Sequence, residues 1–404
     1  MKVLMLSKAC VVGAYQKKLE EMAAIPDVDL TVVVPPLWAD SSAPTRLEKV
    51  HTEGYELIVT KIIFNGHFHL HFYPNLKKIV QQVRPDVFHI DEEPYNLATF
   101  QAMRLAQQVG ARKVVFSWQN MLKHYPPPFS LMERYVLNRT DALLVGNSEA
   151  AEVWRRKGYR GLMRLIPQFG VDPTIYYRHE RPMRRGRMSV FKSRHANRPT
   201  QPTLVIGYVG RLVEEKGIEL LLYAVSQLAG PWTLQVLGSG PDKERLEKMA
   251  HWLGIAPRVT FMPWMPSTHL PNYFSGLDVL VLPSLTRSNW KEQFGRVLIE
   301  AMACDVVVVG AESGAIPEVI GEAGLTFAEN NVEELQDQLQ LLLDDVDLRE
   351  RLRQKGRQRV QENYTQAAIA KNTVNIYREI LDHQRVKNEW ATKRLNRDNT
   401  FDVK

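Results

Sequence analysis

The chain has almost no cysteine, with Cys10 and Cys304 alone among 404 residues. That excludes a disulfide-stapled scaffold and a zinc site built on thiolates. Long apolar runs are missing too. No stretch reaches the ~18–20 residues of a membrane span, and the apolar opening MKVLML is too short for a secretory core segment. The expectation is a soluble protein of a reducing compartment, most simply the cytoplasm. Two nucleotide signatures are absent. Neither the loop at Gly13 nor Gly238-Ser239-Gly240-Pro241 is a GxGxxG fingerprint, and no GxxxxGK[ST] run occurs. Acids are scarce in one region. Between Arg178 and Gln201 eight arginines and lysines accompany one acid, Glu180, which gives this stretch +7, the same as the formal charge of the whole chain. It reads first as a solvated connector. A sharper reading is contact with anionic lipid headgroups or an acidic glycan. Nucleic acid is disfavoured, because Phe191 is the stretch's one aromatic.

What is present is ample for packed cores: 45% of residues are hydrophobic and 24% charged. The length suits two domains, since single cores stop growing near ~250–300 residues. Apolar strand patterns recur at Val3–Leu6, Leu30–Val34, Val87–Ile90, Val114–Phe116 and Ala142–Val145, with helical patterns between most of them. Glu53–Phe64 alternates like one more strand. After the basic stretch the rhythm restarts at Thr203–Val209, Thr233–Leu237, Val259–Phe261, Val279–Leu282 and Val306–Val309. From Val332 the chain reads as helix almost to Arg385, with a break near Glu362–Thr365. Buried strands alternating with helices predict an α/β protein of two Rossmann-like, doubly wound domains facing a cleft, with ligands at the carboxyl ends of the strands. The expected division is 1–175, a basic linker at 176–202, a second domain at 203–364, and a helical tail at 365–404 that folds back on the first domain.

The densest chemical signal runs from Pro283 to Ala303. A strand ends, a loop follows, and a helix starts near Phe294. Glu292 lies before the helix and Glu300 two turns inside it, roughly 12 Å away at ~1.5 Å per residue. That span suits two hydroxyl-bearing rings joined by a diphosphate. A helix start near Phe294 and Gly295 would present N–H donors suited to an anionic or polyhydroxyl ligand. The competing reading is an amphipathic helix with two surface acids. A second signal, Gly210-Arg211 through Lys216-Gly217, follows a buried strand. It offers a planar fork and a mobile point charge, a combination suited to a diphosphate, although charged turns are common.

Taken together, these residues resemble the retaining glycosyltransferases of family 4 (GT4), which have the GT-B fold. The resemblance rests on Gly210-Arg211 through Lys216-Gly217, on Gly238-Ser239-Gly240, on the Glu292/Glu300 pair (EX7E), and on Ser313-Gly314 through Ile316-Pro317-Glu318. In the amino half, Val145-Gly146-Asn147-Ser148 and Ile166-Pro167-Gln168-Phe169-Gly170-Val171-Asp172 add to it. The resemblance implies transfer of a sugar from a UDP- or GDP-linked donor to a saccharide or lipid-linked hydroxyl acceptor, in polysaccharide or glycolipid synthesis. Arg211 and Lys216 would hold the diphosphate and Glu300 the ribose. Glu292, with the backbone of Gln293, Phe294, Gly295 and Arg296, would hold the sugar. Gly217 would open the helix after the cationic loop, Met265 would meet the base, and Gly13 would let its loop close over the diphosphate. Asp91 and Glu292 are the candidate catalytic residues. No metal or cofactor is implied.

The chain departs from the family pattern in places. Asp91 stands where the family often has His, and His89 is read as ending a strand. Asp305 stands where Gly commonly caps a helix, a loss that Asp tolerates better than most residues. The amino loop keeps only Gly13. The basic connector is longer than the fold requires. These departures motivate a rival reading, a catalytically silent scaffold. Asn120, Lys123 and His124 are weaker candidates for the acceptor side. His67, His69 and His71 would share one face if they lay on a strand, but no nearby acid completes a metal set.

Overall fold

The computed structural model describes residues 1–39, 44–179 and 203–398. Apart from Arg178 and His179, the basic stretch at 178–201 lies outside the described residues. The chain divides into two compact units, Met1–Phe169 with Gln366–Lys404, and Gly170–Thr365. The division thus falls six residues before the expected 175. Val171 bridges Thr365 and Tyr176 bonds Ser267, so this segment packs within the second unit.

The first unit is a parallel sheet in the order β5-β2-β1-β6-β7-β8-β9. Its strands are β1 (Lys2–Leu6), β2 (Asp29–Val34), β5 (Glu56–Val59), β6 (Val87–Ile90), β7 (Arg112–Ser117), β8 (Ala142–Val145) and β9 (Leu162–Leu165). A short antiparallel hairpin, β3 (Leu37–Ala39) and β4 (Pro44–Arg46), lies outside that sheet. Helices α1 (Gly13–Ala23), α2 (Leu76–Val83), α3 (Leu97–Gln108), α4 (Phe129–Leu137) and α5 (Ser148–Arg156) connect the strands. Central strands such as β6 are buried on both faces, which is why they read as unbroken apolar runs. β9 escapes a sequence reading because it is an edge strand, half exposed along its length. The alternation at 53–64 condenses to β5 alone.

The second unit repeats the design in the order β12-β11-β10-β13-β14-β15. Its strands are β10 (Leu204–Val209), β11 (Trp232–Leu237), β12 (Val259–Met262), β13 (Val279–Leu282), β14 (Val307–Ala311) and β15 (Leu325–Phe327). Its helices are α6 (Ile218–Ser226), α7 (Lys243–Trp252), α8 (Leu270–Ser275), α9 (Arg296–Ala303), α10 (Ile316–Ile320), α11 (Val332–Asp344) and α12 (Val346–Asn363). The long helical tail breaks at 364–365, within the expected Glu362–Thr365, and once more before that. Asp345 leaves helical geometry and its carboxylate accepts the Leu348 N–H, capping α12 afresh. The last helix, α13 (Gln366–Asp398), belongs to the first unit. Its Ile369, Val374, Tyr377 and Ile380 are buried with Leu19, Met22 and Val3.

Asp305 takes up the left-handed conformation foreseen for it, with φ of 58°. Its carboxylate is gripped by the Arg357 guanidinium, so a charge contact accompanies the lost glycine. In both sheets the first strand lies between the strands on either side of a topological switch, β2 and β6 in one unit, β11 and β13 in the other. The carboxyl ends of β1 and β6, and of β10 and β13, are therefore where each unit opens a crevice. Among the described residues no helix is long and apolar enough to cross a membrane.

Candidate functional site

The sequence-predicted residues of the second unit gather at the ends of β10 and β13. After β10 the chain turns through Gly210, Arg211 and Leu212. The Leu212 N–H donates to the Ser239 carbonyl at 2.8 Å, which lays the Gly238–Gly240 turn against it. A Cβ on Gly240 would strike the backbone of Leu212, so this close packing needs glycine. Arg211 projects outward, its side chain 65% exposed, with only a 3.3 Å contact to Glu215. A single helical turn, Glu214–Lys216, then delivers Lys216 to the crevice.

There the Lys216 Nζ donates to Glu292 Oε2 at 2.6 Å, and the Ser284 hydroxyl donates to the same oxygen at 3.2 Å. The indole of Trp290 lies 4.6 Å from the ammonium. The Ala315 N–H, just past β14, donates to the Glu292 carbonyl at 3.1 Å. Gly314, with φ of 56°, is pressed so closely on that carbonyl that any side chain would collide with it. The Ser313-Gly314 motif thus props the Glu292 loop from behind. Gly217 does similar work against the Pro283 carbonyl.

Helix α9 begins at Arg296, two residues later than expected, because Gly295 before it is left-handed (φ of 71°). The loop from Glu292 to Gly295 is therefore not helical, and the helical spacing expected between the two glutamates covers only its second half. Glu300 is buried inside α9. Arg296 Nε donates to its Oε1 at 2.6 Å, and the Tyr176 hydroxyl donates to the same oxygen at 3.3 Å. That hydroxyl also lies 3.2 Å from the Ser267 carbonyl, two residues after the half-buried Met265. Gln293 is exposed, whereas Phe294 is buried against Tyr364. Tyr176, Ser284 and Trp290 complete the cluster. Ser284 and Trp290 lie inside the 283–303 signal, but nothing in the local sequence marks Tyr176.

The first unit builds a second polar cluster at the ends of β1, β6 and β7. Asp91 is buried. Its carboxylate accepts the Ser7 hydroxyl at 2.6 Å and the Gln168 amide at 2.8 Å. Gln168 also accepts the Trp118 indole N–H at 2.7 Å. Asp91 is therefore engaged with protein partners through both oxygens. His89 lies within β6, its Nδ1 2.5 Å from the Tyr377 hydroxyl, and burial pushes its pKa down to about 4. Glu92 pairs with Lys8, and His71 Nε2 lies 3.5 Å from it. Burial opposes the charged form of Glu92, but Lys8 and then His71 outweigh it and hold the pKa down to about 2. Glu93 accepts the Ser117 hydroxyl at 2.6 Å and the Trp118 N–H at 2.8 Å, yet burial still pushes it up to about 7. Glu92 and Glu93 carry no sequence pattern of their own. Adjacency to Asp91 at a strand end is the signal that points to them.

Gly13 starts α1. Its N–H donates to Glu48 at 2.7 Å, and its own position is too tight for a side chain beside Glu48 and Val50. The three histidines do not form a strand. Residues 67–70 turn, and His71 points inward to Glu92, the nearby acid that the sequence does not reveal. Among the described residues no three His, Cys, Asp or Glu side chains converge as a metal site. Asn120 lies 3.4 Å from Glu149, while Lys123 and His124 are exposed.

Comparison with known proteins finds relatives for part of the sequence and for the fold. Residues 190–359 match the family described as Glycosyl transferases group 1. An uncharacterized glycosyltransferase of Methanocaldococcus jannaschii is 32% identical over 178 residues, 43% of this chain and 44% of that protein. A sulfoquinovosyl transferase of Arabidopsis thaliana is 26% identical over 344 residues, 80% of this chain and 64% of that protein. The chain spans about half the length of such relatives. In structure, Anabaena HepE in complex with UDP is similar with a TM-score of 0.69 at 17% identity, over 94% of this chain and 100% of that one. The chain thus has the GT-B fold, two parallel-sheet α/β units, and its residues 190–359 match the group 1 glycosyltransferases.

Proposed function

We propose that the chain is a retaining glycosyltransferase of family 4, moving a sugar from a UDP- or GDP-linked donor to a hydroxyl of a saccharide or lipid-linked acceptor. The observation that supports this most is the pairing at the ends of β10 and β13, where Lys216 and Ser284 converge on one oxygen of Glu292. A diphosphate arriving there offers Lys216 a more highly charged partner. Lys216 and the outward Arg211 then neutralise the phosphates, while Glu292 is released to accept from the sugar hydroxyls. The N–H groups at the start of α9 add donors on the same side. Glu300, already oriented by Arg296, accepts from the ribose. The segment around Met265 meets the base.

In the reaction the bond from the anomeric carbon to the diphosphate oxygen breaks as the acceptor oxygen bonds that carbon. The acceptor's proton passes to the departing phosphate. Acceptor binding falls to the strand ends of the first unit. Asp91 acts there as a positioning residue, since Ser7 and Gln168 hold its carboxylate. The cytoplasm suits two buried free thiols.

A thermal-shift screen with UDP, GDP, ADP and their sugar conjugates tests the reading. One base should raise the melting temperature, because a ligand that binds only the native state stabilises it. Donor turnover should be lost in Glu292→Ala and in Arg211→Ala. Full turnover in both variants would remove the proposed site, and no response to any nucleotide would favour a silent scaffold.

A further inference from the structure

Glu292 ends a loop, 284–292, that contains neither helix nor strand. A loop can aim a side chain only if neighbouring elements hold it, because ~0.5 Å of play already degrades a site. The 214–216 turn supplies part of this hold. The Leu285 N–H donates to the Glu215 carbonyl at 2.8 Å, and the Arg287 guanidinium meets Glu214 at 2.8 Å. Glu329, in the turn after β15, supplies a further part. The Thr286 N–H donates to Glu329 Oε2 at 2.9 Å, and the Thr286 hydroxyl donates to Oε1. Both oxygens of one carboxylate thus grip a single residue of the loop, through charge-assisted bonds.

That grip reaches Glu292 by two routes. A hydroxyl has one proton to give. Thr286 gives its proton to Glu329, so at the 3.0 Å contact with Ser313 it must accept. Ser313 is fully buried and opens the segment whose Gly314 presses on the Glu292 carbonyl and whose Ala315 N–H donates to it. Two residues before Thr286, the Ser284 hydroxyl donates to the Glu292 carboxylate. The Thr286–Ser313 pair therefore ties the support of the Glu292 backbone to the support of its side chain. Glu329 sets the direction of that pair.

We propose that Glu329 is a positioning residue for Glu292, acting through Thr286 and Ser313. On the functional reading above, Glu292 holds the donor sugar, while Lys216, Arg211 and Glu300 hold the nucleotide. Releasing the clamp should therefore harm the sugar contact and spare the nucleotide contacts. Glutamine can replace the carboxylate. Its carbonyl accepts the Thr286 N–H and its amide donates to the hydroxyl, which then turns its proton to Ser313. Alanine can do neither.

Initial rates of nucleotide release from UDP-glucose, UDP-galactose, UDP-N-acetylglucosamine and GDP-mannose, with calorimetric Kd values for UDP and GDP, test this in the full chain. With the donor that the parent uses, Glu329→Ala should lower kcat by about tenfold or more. Its Kd for the free nucleotide should stay within about twofold of the parent, and its melting curve should move little. Glu329→Gln should restore most of the rate. Thr286→Val should lose part of it, and adding it to Glu329→Ala should change little, because both act through one contact. Amide hydrogen exchange across 287–294 should quicken in Glu329→Ala and return to the parental rate in Glu329→Gln. Parental kcat in Glu329→Ala would overturn the proposal. So would equal failure of the glutamine variant, or a free-nucleotide Kd that rises as much as kcat falls. A parent that releases nucleotide from none of these donors would instead count against the functional reading. The exchange measurement would then still decide the clamp, since unchanged exchange in Glu329→Ala overturns it.

Discussion

Each unit places a lysine after its first strand, pairs it with a glutamate beyond a later strand, and shelters it under an aromatic ring. In the first unit the trio is Lys8, Glu92 and Trp38, in the second Lys216, Glu292 and Trp290. The difference lies in what surrounds the acid. Glu92 has no exposed side-chain surface and a histidine at its back, whereas Glu292 keeps 13% of its side chain open and accepts the Ser284 hydroxyl. A charge pair sealed from water is part of the fold, and breaking it leaves a charge stranded. A pair left partly open can trade its partners for those of a ligand. On the proposed function, the same residue types therefore serve structure in one unit and chemistry in the other.

The largest expected effect falls on the open pair. Lys216→Ala or Glu292→Ala should cut donor turnover by about 10²–10³ in initial-rate assays, while thermal melts move little. Equal losses of stability in these variants and in the sealed pair would erase the distinction. For the sealed pair, Glu92→Ala should cost ~3–5 kcal/mol of stability, read by urea titration, because Lys8 and His71 lose their carboxylate.

The two units should also differ in how they respond to acid. Glu92 has a depressed pKa, so its stabilisation is complete above the ordinary carboxylate value and drains away as pH falls towards about 2. His89 acts in the same direction at higher pH. Buried neutral, with its pKa near 4, it penalises the folded state as pH drops from about 6.5. Glu93 works the opposite way. Its raised pKa means that stability falls as pH climbs from about 4.5 to about 7, where the unfolded chain has lost its proton and the folded one has not. Melting temperatures of Glu93→Gln across that window should lack this decline, and an unchanged slope would show that another group carries it.

The smallest effect tests the left-handed cap. Asp305→Gly relieves the backbone but gives up the Arg357 contact, so its stability should stay within about 0.5 kcal/mol of the parent. Asp305→Ala loses both and should cost ~1–2 kcal/mol.

Much of this was legible before any coordinates. Strands buried on both faces announce themselves as unbroken apolar runs, and β1, β6, β8, β10 and β13 fall where those runs lie. Edge strands such as β9 and β15 face water in part and lose that contrast. The second unit's proposed site was readable because its parts sit in two short segments, 210–217 and 283–303, with glycines where the chain must turn tightly. The sealed cluster was not. Lys8, His71 and Glu92 come from three distant segments, and only the sheet order brings them together. Tyr176 was invisible for the same reason, since its partner Glu300 is 124 residues away.

Calorimetric titration of the parent chain and of Lys216→Ala with UDP and GDP tests the central claim most directly. The account predicts saturable heat with one nucleotide in the parent and at least about tenfold weaker binding in the variant. Equal affinity in both proteins, or no heat with either nucleotide in the parent, would contradict it.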